Sequence, residues 1–141
     1  MLFSVDQANR TLPLVRRIVE DIVRDHRRWQ EKILELELVA STANAPASVQ
    51  PPLGRSNEEL SATLERDAMA IARDIDAYER ELEELGIVLK DRRLGLVDFP
   101  GEIDGRRVWL CWRLGEPSVQ YWHDLDAGYA GRQPLPTAAL K

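Results

Sequence analysis

Mostly apolar residues recur in the first third of the chain at alternating intervals of four and three: Val15, Val19, Ile22, His26, Trp29, Ile33, Leu36 and Ala40. On a helix of 3.6 residues per turn these positions form one stripe, the seam of a helix packed along another. Ile18, Val23, Leu34 and Leu38 widen it, so the helix is expected to bury more than a narrow band. The same spacing returns at Leu64, Ala68, Ile71, Ile75, Tyr78, Leu82 and Leu85. Both seams start at a capping box, Ser4-Val5-Asp6-Gln7 and Ser56-Asn57-Glu58-Glu59. In each box the serine hydroxyl accepts from the backbone N–H three residues on, and the side chain there reaches back. Gly86 stands where a left-handed residue would stop the second helix. Pro13 has no N–H, so a short first turn is predicted, then a break near Thr11 and a fresh helix with Pro13 in its first turn. Residues 41–55 carry three prolines and no period, which predicts a flexible loop.

After Gly86 the pattern becomes extended. Strands are predicted at Ile87–Lys90, Leu94–Phe99, Arg106–Leu114 and Val119–Asp124, with turns at Pro100-Gly101, Asp104-Gly105 and Gly115–Ser118. The fold class is α+β. A long antiparallel helical hairpin (11–85) packs against a small C-terminal antiparallel β-meander (86–124). An irregular tail (125–141) follows, all in a single domain (1–141). Each seam helix would run roughly 40 Å, against roughly 17 to 30 Å for the strands. The sheet is too short to cover the whole hairpin, and a homodimer through the helical seam is the expected cover.

The bulk numbers narrow the class. The chain has 141 residues, a net charge of −5 and one cysteine, Cys111. An acidic chain has no general attraction for nucleic acid or an anionic membrane. A single thiol forms no internal disulfide, and the N-terminus lacks a basic stretch followed by an apolar run, so the expected address is cytoplasmic. Residues 56–85 set three arginines against ten acids. Arg16, Arg17, Arg24, Arg27 and Arg28 on the first helix are therefore read as partners in interhelical ion pairs, not as a phosphate-tracking stripe.

The Asp-Gly turn sets a register in which Ile103 opposes Arg106, Asp98 opposes Cys111 and Leu96 opposes Arg113. Pairing Leu114 with Val119 across the next turn then places Asp98, Trp109, Cys111, Arg113, Gln120, Trp122 and Asp124 on one face. The apolar residues, with Tyr121 and His123, take the other. A single bulge would exchange the faces beyond it. The polar face admits two readings. One is a pocket for a small polar or anionic ligand, with Arg113 as the fork donor. The other is a structural ion pair of Arg113 with Asp98 or Asp124. Two histidines in all, with no His-x-x-x-His and no cysteine cluster, predict no zinc site and no cofactor. Oxygen-rich coordination of a harder ion stays open. His123 is read as a hydrogen-bonded histidine at a strand end. His26 is read as a seam histidine held by a carboxylate such as Asp67, and Cys111 as a buried filler.

Four stretches, LFSVDQANRTLPLVRRIV, GIVLKDRRLGLVDFP, LCWRLGEP and YWHDLDAGYAGRQPL, resemble a bacterial family of short proteins, domain of unknown function 2203. The likeness covers about Leu2 to Val23 and Gly86 to Leu135 and implies a complete member. The residues that carry it are Asp98, Trp112, Arg113, Glu116, Trp122, His123, Asp124, Tyr129 and Arg132. It implies no activity, substrate or cofactor. The chain is therefore read as a non-catalytic protein-interaction or small-ligand-binding module. Its ligand-binding residues would be Asp98, Trp112, Arg113, Glu116, His123 and Asp124. The alternative is a small hydrolase or metal-dependent enzyme using carboxylates and His123.

Overall fold

A computed structural model describes residues 2–42 and 56–136. The chain order is helix α1 (Val5–Thr42), helix α2 (Asn57–Glu84), then strands β1 (Val88–Asp91), β2 (Leu96–Ile103), β3 (Arg106–Arg113), β4 (Tyr121–His123) and β5 (Gln133–Pro134). The helices pack together, and the sheet is antiparallel in the order β1-β2-β3-β4-β5. The fold is thus α+β. Most of the loop expected at 41–55 lies outside the described residues.

Both helix starts follow the capping chemistry. The Gln7 N–H donates to Ser4 Oγ at 3.0 Å and the Ser4 N–H donates to Gln7 Oε1 at 2.9 Å. At the second helix the Glu59 N–H donates to Ser56 Oγ at 3.1 Å. The end of α2 is a Schellman stop. Gly86 sits at φ 83, with Ile87 N–H to Leu82 O and Gly86 N–H to Glu83 O both at 2.9 Å. The predicted break near Thr11 does not occur, because α1 runs on through Pro13. The Ala8 N–H already bonds back to Ser4 O, and the Thr11 hydroxyl donates to Gln7 O at 2.9 Å. The turns ahead of the missing donor are thereby held helical.

The chain forms two compact units. The sheet unit comprises Met1–Val23 and Ala77–Lys141, and the hairpin unit Arg24–Asp76. In the sheet unit Val15, Val19 and Ile22 of α1 and Leu82 of α2 are fully buried with Val97, Phe99, Leu110 and Trp112. In the hairpin unit Leu64, Ala68, Ile71 and Ile75 are buried, whereas Trp29, Ile33 and Leu36 are only half-buried. Leu34 and Leu38, expected to widen the buried band, are 59% and 64% exposed. The contacts seen for the α1 arginines fall within α1 and on the turn after β3. Arg24 and Arg28 reach Asp25 of their own helix at 3.1 and 3.0 Å, and Arg16 donates to Pro117 O at 3.2 Å. Asp67 lies 4.0 Å from Lys32 Nζ, and His26 stacks on Trp29 with centroids 5.9 Å apart.

Two strand expectations change. Pro100-Gly101 is not a turn: β2 continues through it to Ile103. Strand β1 pairs with β2 only up to Asp98. Beyond that point the edge of β2 is taken by Phe3, whose N–H donates to Pro100 O at 2.7 Å. A proline is tolerated there because no ladder donor is required of it. The tail is also less irregular than expected. A 3-10 turn at Tyr129–Gly131 leads into β5.

Candidate functional site: a buried polar row on the sheet

The Asp104-Gly105 turn takes φ 51 and 78, the positive pair that a tight two-residue hairpin demands. It sets the predicted register, with Ile103 opposite Arg106, Asp98 opposite Cys111 and Leu96 opposite Arg113. The next hairpin departs from expectation by one residue. Trp109 opposes His123 and Cys111 opposes Tyr121. The reason lies far away in the chain. The Val119 N–H donates to Asn9 Oδ1 of α1 at 2.7 Å, so Val119 is drawn out of the ladder and pairing starts at Tyr121. A slip of one exchanges faces. Tyr121 and His123 therefore join Asp98, Cys111 and Arg113, while Trp122 and Asp124 go to the helix-facing side.

That slip assembles the site. Strands β2 and β4 flank β3, so their backbones stand roughly 10 Å apart. Asp98 and His123 nevertheless meet, His123 Nε2 lying 3.0 Å from Asp98 Oδ2. The residue of β3 near which they meet is Cys111, small enough to let two longer side chains close across the strand. Asp98, Cys111 and His123 are 2%, 0% and 3% exposed. Their nearest ligand-capable atoms all lie within 4.8 Å of one another. His123 Nδ1 is 2.8 Å from the Asp124 carbonyl. A carbonyl can only accept, so Nδ1 carries a hydrogen. The contact between Nε2 and Oδ2 then holds one further proton between imidazole and carboxylate. Asp98 Oδ1 is buried and meets no hydrogen-bond donor among the described residues.

The tail supplies the cover. Arg132 lies over the rings of Tyr121 and Tyr129, 3.9 and 4.6 Å from their centroids. It grips Glu116 with both terminal nitrogens, one of them at 3.0 Å. Those hydrogen bonds raise the Arg132 pKa still further above its ordinary value, against the opposing effect of burial. Arg132 Nη1 also lies 3.8 Å from Cys111 Sγ. Burial pushes the Cys111 thiol up to about 12, and the Asp98 charge adds to the rise. Cys111 is thus buried as expected, but its neighbours include a carboxylate and a guanidinium.

The six residues read as ligand-binding do not share one pocket. Asp98 and His123 form the buried pair. Arg113 and Glu116 stand beside them, with Arg113 Nη1 donating to Tyr129 Oη at 3.2 Å and the Arg113 N–H to Glu116 Oε1 at 2.7 Å. Trp112 is on the opposite face, fully buried, its Nε1 donating to Glu116 O at 3.0 Å. Asp124 pairs with Arg106 at 2.5 Å. The expected ion pair of Arg113 with Asp98 or Asp124 is not formed: Asp98 meets His123 through Oδ2 and Asp124 pairs with Arg106. Cys111, Tyr121 and Arg132 were not among the six. Arg132 is a lone basic residue in a glycine-rich stretch, and nothing local to it points to Glu116.

No curated protein and no solved structure matches the chain. One family model does match, over residues 1–135, that of the uncharacterised conserved proteins DUF2203. With nearly the whole length matched, including both capped ends of the hairpin and the Asp98–His123 sheet, the chain belongs to the DUF2203 family.

Proposed function

We propose that the protein is a non-catalytic interaction module. Residues 1–141 would act as one cytoplasmic domain that pairs with a second copy through the hairpin unit. The exposure of Leu34, Leu38 and Met69, at 59%, 64% and 60%, carries this reading. Leu34 and Leu38 are one turn apart on α1, so they stand on one face. Trp29, Ile33 and Leu36 of the same unit are half-buried. A two-fold pairing covers this surface on both copies with one set of contacts, which makes a second copy the economical partner. Among the described residues no helix is long and apolar enough to cross a membrane, so a bilayer-spanning role for this surface has no support. Sedimentation equilibrium should show a dimer, and Leu34→Asp with Leu38→Asp should give a folded monomer. A wild-type chain that stays monomeric at high concentration would end this reading.

Arg113 favours a second reading, a small polar or anionic ligand. Its half-buried guanidinium donates to Tyr129, and no ion pair to it is seen among the described residues. Arg113 would be the anchor, with Glu116, Asp98 and His123 alongside. Trp112 and Asp124 belong to the other face and would act only through the strands that carry them. Calorimetric titration with inorganic phosphate should then saturate in the wild type and not in Arg113→Gln. Equal heats in the two proteins would dismiss it.

A further inference from the structure

We propose that Asp98, Cys111 and His123 form a buried site for one borderline-soft divalent ion of the zinc class. The three residues come from β2, β3 and β4, and their ligand atoms lie within 4.8 Å of one another. Bonds of about 2.0 to 2.3 Å from a tetrahedral ion to oxygen, nitrogen and sulfur put ligand atoms roughly 3.3 to 3.8 Å apart. Side-chain adjustments of about 1 Å therefore suffice. The donor set of thiolate, imidazole and carboxylate suits such an ion and not calcium or magnesium, which want oxygen alone.

The second observation is the orphaned oxygen. Among the described residues Asp98 Oδ1 is buried without a donor, a costly arrangement for a carboxylate atom unless something else binds it. It belongs to the carboxylate already at the site, and chelation by both oxygens would supply the fourth ligand atom. Charge also closes. A thiolate and a carboxylate balance a divalent ion, leaving a neutral cluster in a place where net charge is expensive. Loading the ion releases two protons to solvent, one from Cys111 Sγ and the one held between Asp98 and His123.

The outer contacts fit the same occupant. A metal-bound imidazole is typically aimed by a hydrogen bond from its other nitrogen to a carbonyl, as His123 Nδ1 is by Asp124 O at 2.8 Å. Arg132 Nη1, 3.8 Å from Sγ, is placed to donate to a thiolate. Its own charge is answered by Glu116, so it does not repel the ion as a free cation would. The three residues are buried and Arg132 lies against Cys111, which points to a structural ion taken up as the sheet folds and not to one that binds substrate.

Cobalt(II) is the probe. Tag-free, chelator-treated full-length protein is given cobalt after folding and, separately, during refolding from denaturant. The expected result is one ion per chain, with visible bands of four-coordinate cobalt and a thiolate-to-cobalt band in the near ultraviolet. Cys111 is the sole cysteine of the chain, so that band identifies the site without any variant. Cys111→Ser should abolish it, and His123→Gln should weaken uptake by more than about tenfold. A wild-type chain without the thiolate band under both conditions overturns the proposal, whether or not the variants fold. So does a band of unchanged affinity in both His123→Gln and Asp98→Asn.

Discussion

The same seam spacing runs through both compact units, yet the two use it differently. In the sheet unit Val15, Val19 and Ile22 are completely enclosed. In the hairpin unit Ile33 and Leu36 continue the stripe but stay half in solvent, and Leu34 and Leu38 beside them are exposed. The difference is in what lies opposite. A helix pair alone offers each stripe one neighbour. A helix pair with a sheet closes it from a further side, and burial of apolar area is the main source of stability. Polar groups divide in the same way. The sheet unit buries Asp98 and His123 against each other, whereas the hairpin unit buries Asp25 but leaves its partners Arg24 and Arg28 more than half exposed. The sheet unit should therefore dominate the stability of the chain, and the hairpin unit its contacts.

The strongest test of this contrast is Trp112→Ala. The indole is fully enclosed and its N–H is satisfied. Truncation leaves a large cavity and a carbonyl without its donor, for an expected loss of about 4 kcal/mol. Urea unfolding should show it as a large fall in midpoint, and a fall below about 1 kcal/mol would mean that the sheet unit is not the core described.

His123→Ala should come next, at about 3 kcal/mol, because it leaves Asp98 buried without its partner. Asp98→Leu with His123→Leu removes both polar groups together and should recover part of that loss. If the double variant is no better than the single one, the pair is not the reason for the cost.

The smallest effect is expected in the hairpin unit. Leu38→Ala removes a mostly exposed side chain and should change the unfolding free energy of the dissociated protein by less than about 0.5 kcal/mol. It should weaken self-association all the same. A loss as large as that of Trp112→Ala would erase the contrast between the units.

Features built from neighbours in the chain were legible before the fold. Ser4 and Gln7 are three residues apart, so their exchange of hydrogen bonds follows from local geometry. The same holds for the Gly86 stop, and for the Asp104-Gly105 turn that brings Asp98 opposite Cys111. The site was only half legible. Asp98, Arg113, Glu116 and His123 stood out as polar residues among tryptophans, but their grouping rested on the second hairpin, whose register was one residue out. Pro13 shows the converse limit, since propensity predicts a break that the flanking hydrogen bonds overrule.

What the sequence determined by itself is thus the order of the two helices and the first four strands, the serine caps, the Gly86 stop, the first hairpin register and the α+β class. Each follows from chemistry within a few residues or from a repeating period. Only the tertiary structure decided which side of the sheet His123 occupies. That choice depends on Val119 donating to Asn9, 110 positions earlier. Only the tertiary structure, again, laid Arg132 over Tyr121 and joined it to Glu116. A strand has a period of two, so one long-range hydrogen bond that shifts pairing by a single residue reverses every side chain beyond it. No pattern local to β4 carries that information.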